Sequence, residues 1–171
     1  MLPDDWKEQI GGHDAIYFGA VGWPEKIPDH VSLWGSLLLF RREFDQYINL
    51  RPVKLYDERF CPLKDKTPAD IDFVVVRENN EGMPPDRNVF MGNGEFRPTP
   101  DMTIGIRVIT RQGSSKVARA AFELARTRPR RKVTAVHKDT VFKLACGMFA
   151  EECRSVAKDY PDVAYDEVLV D

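Results

Sequence analysis

The feature that most constrains this 171-residue chain is the run Ile71-Asp72-Phe73-Val74-Val75-Val76, followed by a last third that alternates two kinds of periodicity. A near-continuous β-branched run reads as a strand buried on both faces, which requires cover on each side. Downstream, Ser114 to Thr127 reads as a helix with Val117, Ala120, Ala121 and Leu124 inward. Lys132 to Val136 is a strand, Val141 to Lys158 a helix ended by Tyr160-Pro161, and Val163 to Val170 a final strand. This order favours an α/β protein with some antiparallel pairing. A hydrophobic share of 43% against 30% charge excludes disorder of the whole chain. No apolar run approaches the roughly 18 residues of a membrane helix, and Met1-Leu2-Pro3-Asp4-Asp5 is unlike a signal peptide. A net charge of -2 provides no bulk drive toward nucleic acid. Cys61, Cys146 and Cys153 form no CxxC pair, so the expectation is a reduced, soluble, cytoplasmic protein without nucleic-acid or membrane partners.

The first half is less regular. Trp6 to Ile10 ends a helix at Gly11-Gly12, and Asp14 to Phe18 reads as a strand closed by Gly19-Ala20-Val21-Gly22, short of a GxGxxG pattern. Trp23 to His30 is a loop, since Pro24 and Pro28 block regular pairing. Val31 to Phe44 is helical: Leu33, Leu37, Phe40 and Phe44 share a core face, while Trp34, Leu37, Leu38 and Arg41 form an adjoining stripe. Tyr47 to Tyr56 is a mixed strand-like run interrupted by Pro52. Residues 79–101, rich in Asn, Gly and Pro around Val89-Phe90-Met91, read as a projecting arm. Thr103 to Ile109 alternates with period two and reads as a half-buried strand. The chain closes on Glu167-Val168-Leu169-Val170-Asp171, a strand whose last residue is a carboxylate, and this leads us to expect a fragment.

Three arginines stand out: Arg41 on the helix, Arg51 in Asn49-Leu50-Arg51-Pro52 and Arg77 at the end of the Val-rich strand. A guanidinium binds a carboxylate through two parallel bonds, so a cluster of them would hold a dicarboxylate; alternatively each pairs with Glu43, Asp45 or Glu78 nearby. Lys138 follows a strand, where a lysine in a dry pocket can serve as a base or, in a solvated loop, do nothing chemical. His137 beside it reads as structural, with no partner histidine at metal-ligand spacing. Five cations between Arg126 and Lys132 read as helix-end complements to the dipole rather than as a nucleic-acid patch.

Taken in order, Asp14–Gly22, Leu37–Glu43, Asn49-Leu50-Arg51-Pro52, Val76-Arg77-Glu78-Asn79 and Val136-His137-Lys138 resemble the isocitrate/isopropylmalate dehydrogenase family. Asp29–Gly35 and Arg41–Tyr47 are most similar to its tartrate and D-malate dehydrogenase branch. The resemblance implies that family's α/β fold, incomplete: residues 1–52 as part of the nucleotide-side domain and 53–171 as the substrate and dimerisation domain with the arm at about 79–101. It implies an NAD-dependent and Mg²⁺- or Mn²⁺-dependent oxidation, with decarboxylation, of a 2-hydroxy dicarboxylate. Arg41, Arg51 and Arg77 match the substrate-carboxylate arginines, Lys138 the base that takes the hydroxyl proton, and Asp171 the first metal-binding aspartate. Trp34, Leu37 and Leu38 fall on the specificity stripe, and Thr140 on a nicotinamide-contacting asparagine. The family completes its site across a homodimer. Pro84 stands where the family has a tyrosine, and the segments carrying the other metal aspartates and most of the dinucleotide pocket have no counterpart here. A dimerisation or binding remnant without catalysis is the alternative.

Overall fold

The computed structural model describes residues 2–23, 25–81 and 95–171; the side chains of Asp29, His30, Trp34, Glu95 and Phe96 lie outside that description. The chain divides into two units, Met1–Gln46 with Met83–Arg107, and Tyr47–Gly82 with Val108–Asp171.

In the first unit, α1 (Trp6–Gly11) is followed by extended coil. The strand expected at Asp14–Phe18 does not form, and Tyr17 is fully exposed at 100%. An extended segment becomes a strand only when a neighbour takes its N–H and C=O groups, and none does so among the described residues. The expected helix over 31–44 is present but composite: α2 (Asp29–Ser32), a π turn over Leu33–Leu37, and α3 (Leu38–Glu43). The Leu38 N–H reaches back to the Leu33 carbonyl, and the Ser36 hydroxyl donates to that of Ser32. Helix α3 ends in a Schellman closure, with Gln46 N–H on the Arg41 carbonyl (2.8 Å) and Asp45 N–H on that of Arg42 (3.2 Å). Asp45 takes the left-handed conformation this needs (φ 45°). Of the face expected to be core, only Phe40 is buried, packed by the rings of Trp6 (5.0 Å between centroids) and Phe18 (5.2 Å). Strands β3 (Glu95–Thr99) and β4 (Met102–Gly105) pair antiparallel. The half-buried strand expected over 103–109 is therefore corrected: β4 stops at Gly105 and is exposed throughout, because β3 is its one partner among the described residues. The arm's Val89-Phe90-Met91 and Pro84 lie outside the described residues.

The second unit holds the larger core. Strand β1 (Ile48–Lys54) pairs antiparallel with β2 (Asp72–Glu78); then come α4 (Arg111–Arg126), β5 (Lys132–His137), α5 (Ala145–Ala157) and β6 (Ala164–Leu169). β6 runs parallel to β5, a pairing that needs a crossover, and α5 supplies it. Pro52 is tolerated because β1 pairs on one side only among the described residues. Phe122 is wholly buried, stacked on Tyr160 at 5.1 Å amid Ala118, Ala125, Ala135, Cys153 and Val156. Burying a phenylalanine contributes about 2–3 kcal/mol. Helix α4 is thus rotated from the expected inward set. Val117 is buried, but Ala120, Ala121 and Leu124 are half-buried, because the deepest stripe turns toward α5 to bring Phe122 onto Tyr160 and Tyr165.

Two further expectations need correction. β2 is not buried on both faces: Phe73 and Val75 are 46% and 44% exposed, since α4 packs on one side and nothing described covers the other. Helix α5 begins at Ala145 rather than Val141, because Val141 and Phe142 close turns on the Lys138 carbonyl (3.2 and 2.9 Å). The N-terminus of α4 is fastened by Glu81, whose carboxylate accepts from the Thr110 N–H (2.8 Å) and hydroxyl, while the Thr110 oxygen accepts from Gly113 N–H (3.0 Å). A Cβ at position 113 would lie 2.6 Å from that carboxylate, so only glycine lets Glu81 approach. Among the described residues no helix is long and apolar enough to cross a membrane.

Candidate functional site

The cation run between Arg126 and Lys132 aligns strands. Arg128 pairs with Asp72 at the start of β2, Arg130 donates to the Ala69 carbonyl (3.0 Å), and Lys132 at the start of β5 pairs with Asp166 on β6 (2.6 Å). Arg126 meets Asp162 at 2.8 Å. β2 and β5 then border one cavity of about 660 Å³, floored by Val117, Ala121 and Leu124 of α4. β6 runs parallel to β5, so the carboxyl ends of these two strands emerge together. Ligand sites of α/β folds lie outside such ends. Here they carry Lys138 and Asp171.

Lys138 donates to the Asp171 carboxylate, its side chain 24% exposed against 65% for the aspartate. The Val170 N–H donates to the His137 carbonyl at 3.0 Å, bringing the end of β6 beside Lys138. Behind the lysine, His137 is buried, with Nε2 3.2 Å from Glu167 Oε2 and Nδ1 3.4 Å from the Asp139 backbone nitrogen. Glu167 accepts from Arg154 at 2.7 and 2.6 Å and from the Tyr165 hydroxyl at 2.8 Å. These bonds, Arg154 foremost and then Tyr165 and His137, hold its carboxyl down at about 2, against 4.5 ordinarily. Burial and the bond to Glu167 push the Tyr165 phenol up. Burial also pushes the neighbouring Cys153 thiol up to about 12, which makes it inert.

Arg51 faces Val75 across the β1–β2 ladder, and Arg77 lies two residues beyond Val75, so the two guanidiniums share one face. Neither takes the nearby acid that would neutralise it. Arg51 Nε donates to Asn49 Oδ1 (2.9 Å), Arg77 makes no ion pair among the described residues, and Glu78 accepts from the N–H groups of Asn80 and Glu81 (2.7 Å each). Arg41, Leu37 and Leu38 belong to the first unit, half-buried on the π turn and α3; the side chain of Trp34 lies outside the described residues. Thr140 is exposed in the turn after Lys138. The structure therefore brings together Lys138 with Asp171, and Arg51 with Arg77.

Sequence reasoning missed the Glu167–Arg154–Tyr165 cluster. The signal was present in β6, where Tyr165 and Glu167 alternate onto the inward face, a costly position for an acid without partners.

Among the described residues no three His, Cys, Asp or Glu side chains converge to hold a metal ion. Nor do the described residues form a dinucleotide cradle, which needs a glycine turn between a strand and a helix; Gly19 to Gly22 lies in coil.

Comparison with known proteins bears on all of this. The isocitrate/isopropylmalate dehydrogenase family matches residues 1–171. The decarboxylating D-malate dehydrogenase of Escherichia coli is 47% identical over 171 residues, covering 100% of this chain and 46% of that protein. A tartrate dehydrogenase/decarboxylase of Pseudomonas putida is 45% identical, with 100% and 46% covered. The crystal structure of isocitrate dehydrogenase from Methylococcus capsulatus superposes with a TM-score of 0.69 at 29% identity, over 99% of this chain and 46% of that one. The chain thus spans about half the length of the relatives it matches. With a match along its whole length and strand ends arranged as described, this chain belongs to the isocitrate/isopropylmalate dehydrogenase family.

Proposed function

We propose that this chain carries the substrate-binding and proton-transfer part of an NAD-dependent, divalent-metal-dependent dehydrogenase that oxidises and decarboxylates a small 2-hydroxy dicarboxylate such as D-malate, tartrate or 3-isopropylmalate. The observation that supports this most is the pairing of Lys138 with Asp171 where the parallel strands β5 and β6 end. Arg51 and Arg77, on one face and unneutralised by neighbouring acids, suit the two-bonded capture of a substrate carboxylate. Arg41 would take the other carboxylate, with Trp34, Leu37 and Leu38 setting what fits beside it. Lys138, as the neutral amine, accepts the hydroxyl proton as the alcohol becomes a ketone, and the Asp171 carboxylate anchors the lysine side chain. A bound Mg²⁺ or Mn²⁺, with Asp171 as one ligand, would polarise the hydroxyl and carboxylate oxygens, and Thr140 would border the nicotinamide. Residues 1–52 form the nucleotide side in this reading and residues 53–171 the dimerisation side, with a homodimer sharing the site.

The test is NADH formation from D-malate, tartrate and 3-isopropylmalate with Mn²⁺. It compares the 171-residue chain with a protein carrying the same sequence at its relatives' full length. Substrate-dependent turnover is expected from the longer protein and little or none from the chain alone. A longer protein that oxidises none of the three would contradict the proposal and favour the non-catalytic remnant.

A further inference from the structure

We propose that His137 is the positioning residue for Lys138, holding the turn that aims the amine and doing so as the Nε2–H tautomer. The inference rests on the reading of Lys138 as the base, though its geometry is independent of that reading. His137 closes β5, and its ring is buried, its side chain 4% exposed. Such a ring must satisfy two nitrogens in place. The Asp139 backbone N–H points at Nδ1 from 3.4 Å, an arrangement in which Nδ1 accepts and Nε2 carries the ring proton. From there Nε2–H donates to Glu167 Oε2 at 3.2 Å.

The two bonds have different consequences. Glu167 is already held by both arms of Arg154 and by the Tyr165 hydroxyl, so it anchors the ring and does not depend on it. The turn does depend on the ring, because Asp139 N–H follows Lys138 directly and His137 supplies the one acceptor recorded for it among the described residues. The Lys138 carbonyl then receives the N–H groups of Val141 and Phe142, which completes the turn. Lys138 is therefore fixed from both sides: by His137 through the backbone of Asp139, and by the zipper from Val170 N–H to the His137 carbonyl that presents Asp171. Asp139 Oδ1 also lies 3.4 Å from Nδ1, and a proton there would draw the ring to the carboxylate and release the backbone N–H. The tautomer is thus part of the device.

The experiment uses the 171-residue chain. Lysine acylation by an amine-selective reagent, read peptide by peptide by mass spectrometry, compares Lys138 with Lys158, an exposed lysine at the end of α5. His137→Phe keeps a planar aromatic ring, somewhat larger than imidazole, and removes both nitrogens, while Glu167 retains Arg154 and Tyr165. Acylation of Lys138 should rise roughly 3- to 10-fold, the factor of one net hydrogen bond, with Lys158 unchanged. His137→Asn restores an oxygen that can accept from the N–H two residues on, as asparagine does in turns, and should return Lys138 to near the original rate. A folded His137→Phe chain with unchanged Lys138 acylation overturns the proposal, as does an equal rise at both lysines. Should His137→Phe fail to fold, ring-nitrogen NMR of the unsubstituted chain decides: an unprotonated Nδ1 with a protonated Nε2 is expected, and the reverse overturns it. Failure of the catalytic reading would appear separately, as a full-length Lys138→Met enzyme that keeps its activity.

Discussion

Replacing Glu167 by glutamine leaves the side-chain shape intact and removes a charge on which four donors converge. Oε1 takes Arg154 Nε and the Tyr165 hydroxyl, and Oε2 takes Arg154 Nη2 and His137 Nε2. Whichever way the amide turns, two of these donors face an NH₂ group that cannot accept. The loss corresponds to hydrogen bonds on a charged group in a side chain 22% exposed, about 1.5–3 kcal/mol after allowance for screening. Its pH dependence makes the reasoning refutable. The carboxyl is held at about 2 in the folded chain against 4.5 ordinarily, so its contribution is complete above pH 4.5 and fades as pH falls toward 2. Urea unfolding of the original and Glu167→Gln chains at several pH values measures the difference directly. It should be largest at neutral pH, shrink between 4.5 and 2, and vanish below. A difference independent of pH, or none at neutrality, would refute the assignment of Glu167 as a charged hub.

Other consequences follow from the same packing. Phe122→Ala removes the ring at the centre of the second unit's core, which is 0% exposed, and should cost about 3–5 kcal/mol in urea unfolding; a loss below 1 kcal/mol would mean the site collapses freely. Cys153, with its thiol pushed up to about 12, should resist alkylation in the folded chain while the half-buried Cys61 and Cys146 react; prompt labelling of all three would contradict its burial. Val141, Phe142 and Leu144 leave a cluster of apolar side chains 61%, 49% and 89% exposed, and sedimentation equilibrium at micromolar concentration should find a dimer or larger species. A stable monomer would show that this surface does not self-associate.

How far the sequence discloses the fold depends on where the stabilising partner sits. Helix α4, strands β5 and β6 and the helical stretch before Arg41 carry their signals locally, in spacing and end residues, and they form. Asp14–Phe18 has the composition of a strand, yet strand formation is decided by a neighbour, and composition does not report neighbours. The β2 run misled in the same way: β-branched residues on both faces permit burial on both, but exposure of Phe73 and Val75 depends on what packs against them. Phe122 was passed over because a four-residue apolar stripe through Leu124 fits α4 as well as the true one, and only contact with Tyr160 and Tyr165 chooses. The position of Lys138 was legible, because a residue directly after a strand is placed by the strand. The Lys138–Asp171 and Arg51–Arg77 associations needed strand pairing and register. The Glu167 hub was hardest to see, since its partners come from 13 and 30 residues away.

The central claim, that Lys138 takes the substrate proton at the end of β5, is tested most directly in the full-length protein. The measurement is steady-state NADH formation from the preferred 2-hydroxy dicarboxylate by the original enzyme and by Lys138→Met. The account predicts a fall in kcat of at least about 100-fold with KM changed little, as loss of a positioned base requires while the arginines still hold substrate. A Lys138→Met enzyme that retains kcat near the original value would place the base elsewhere and contradict the account.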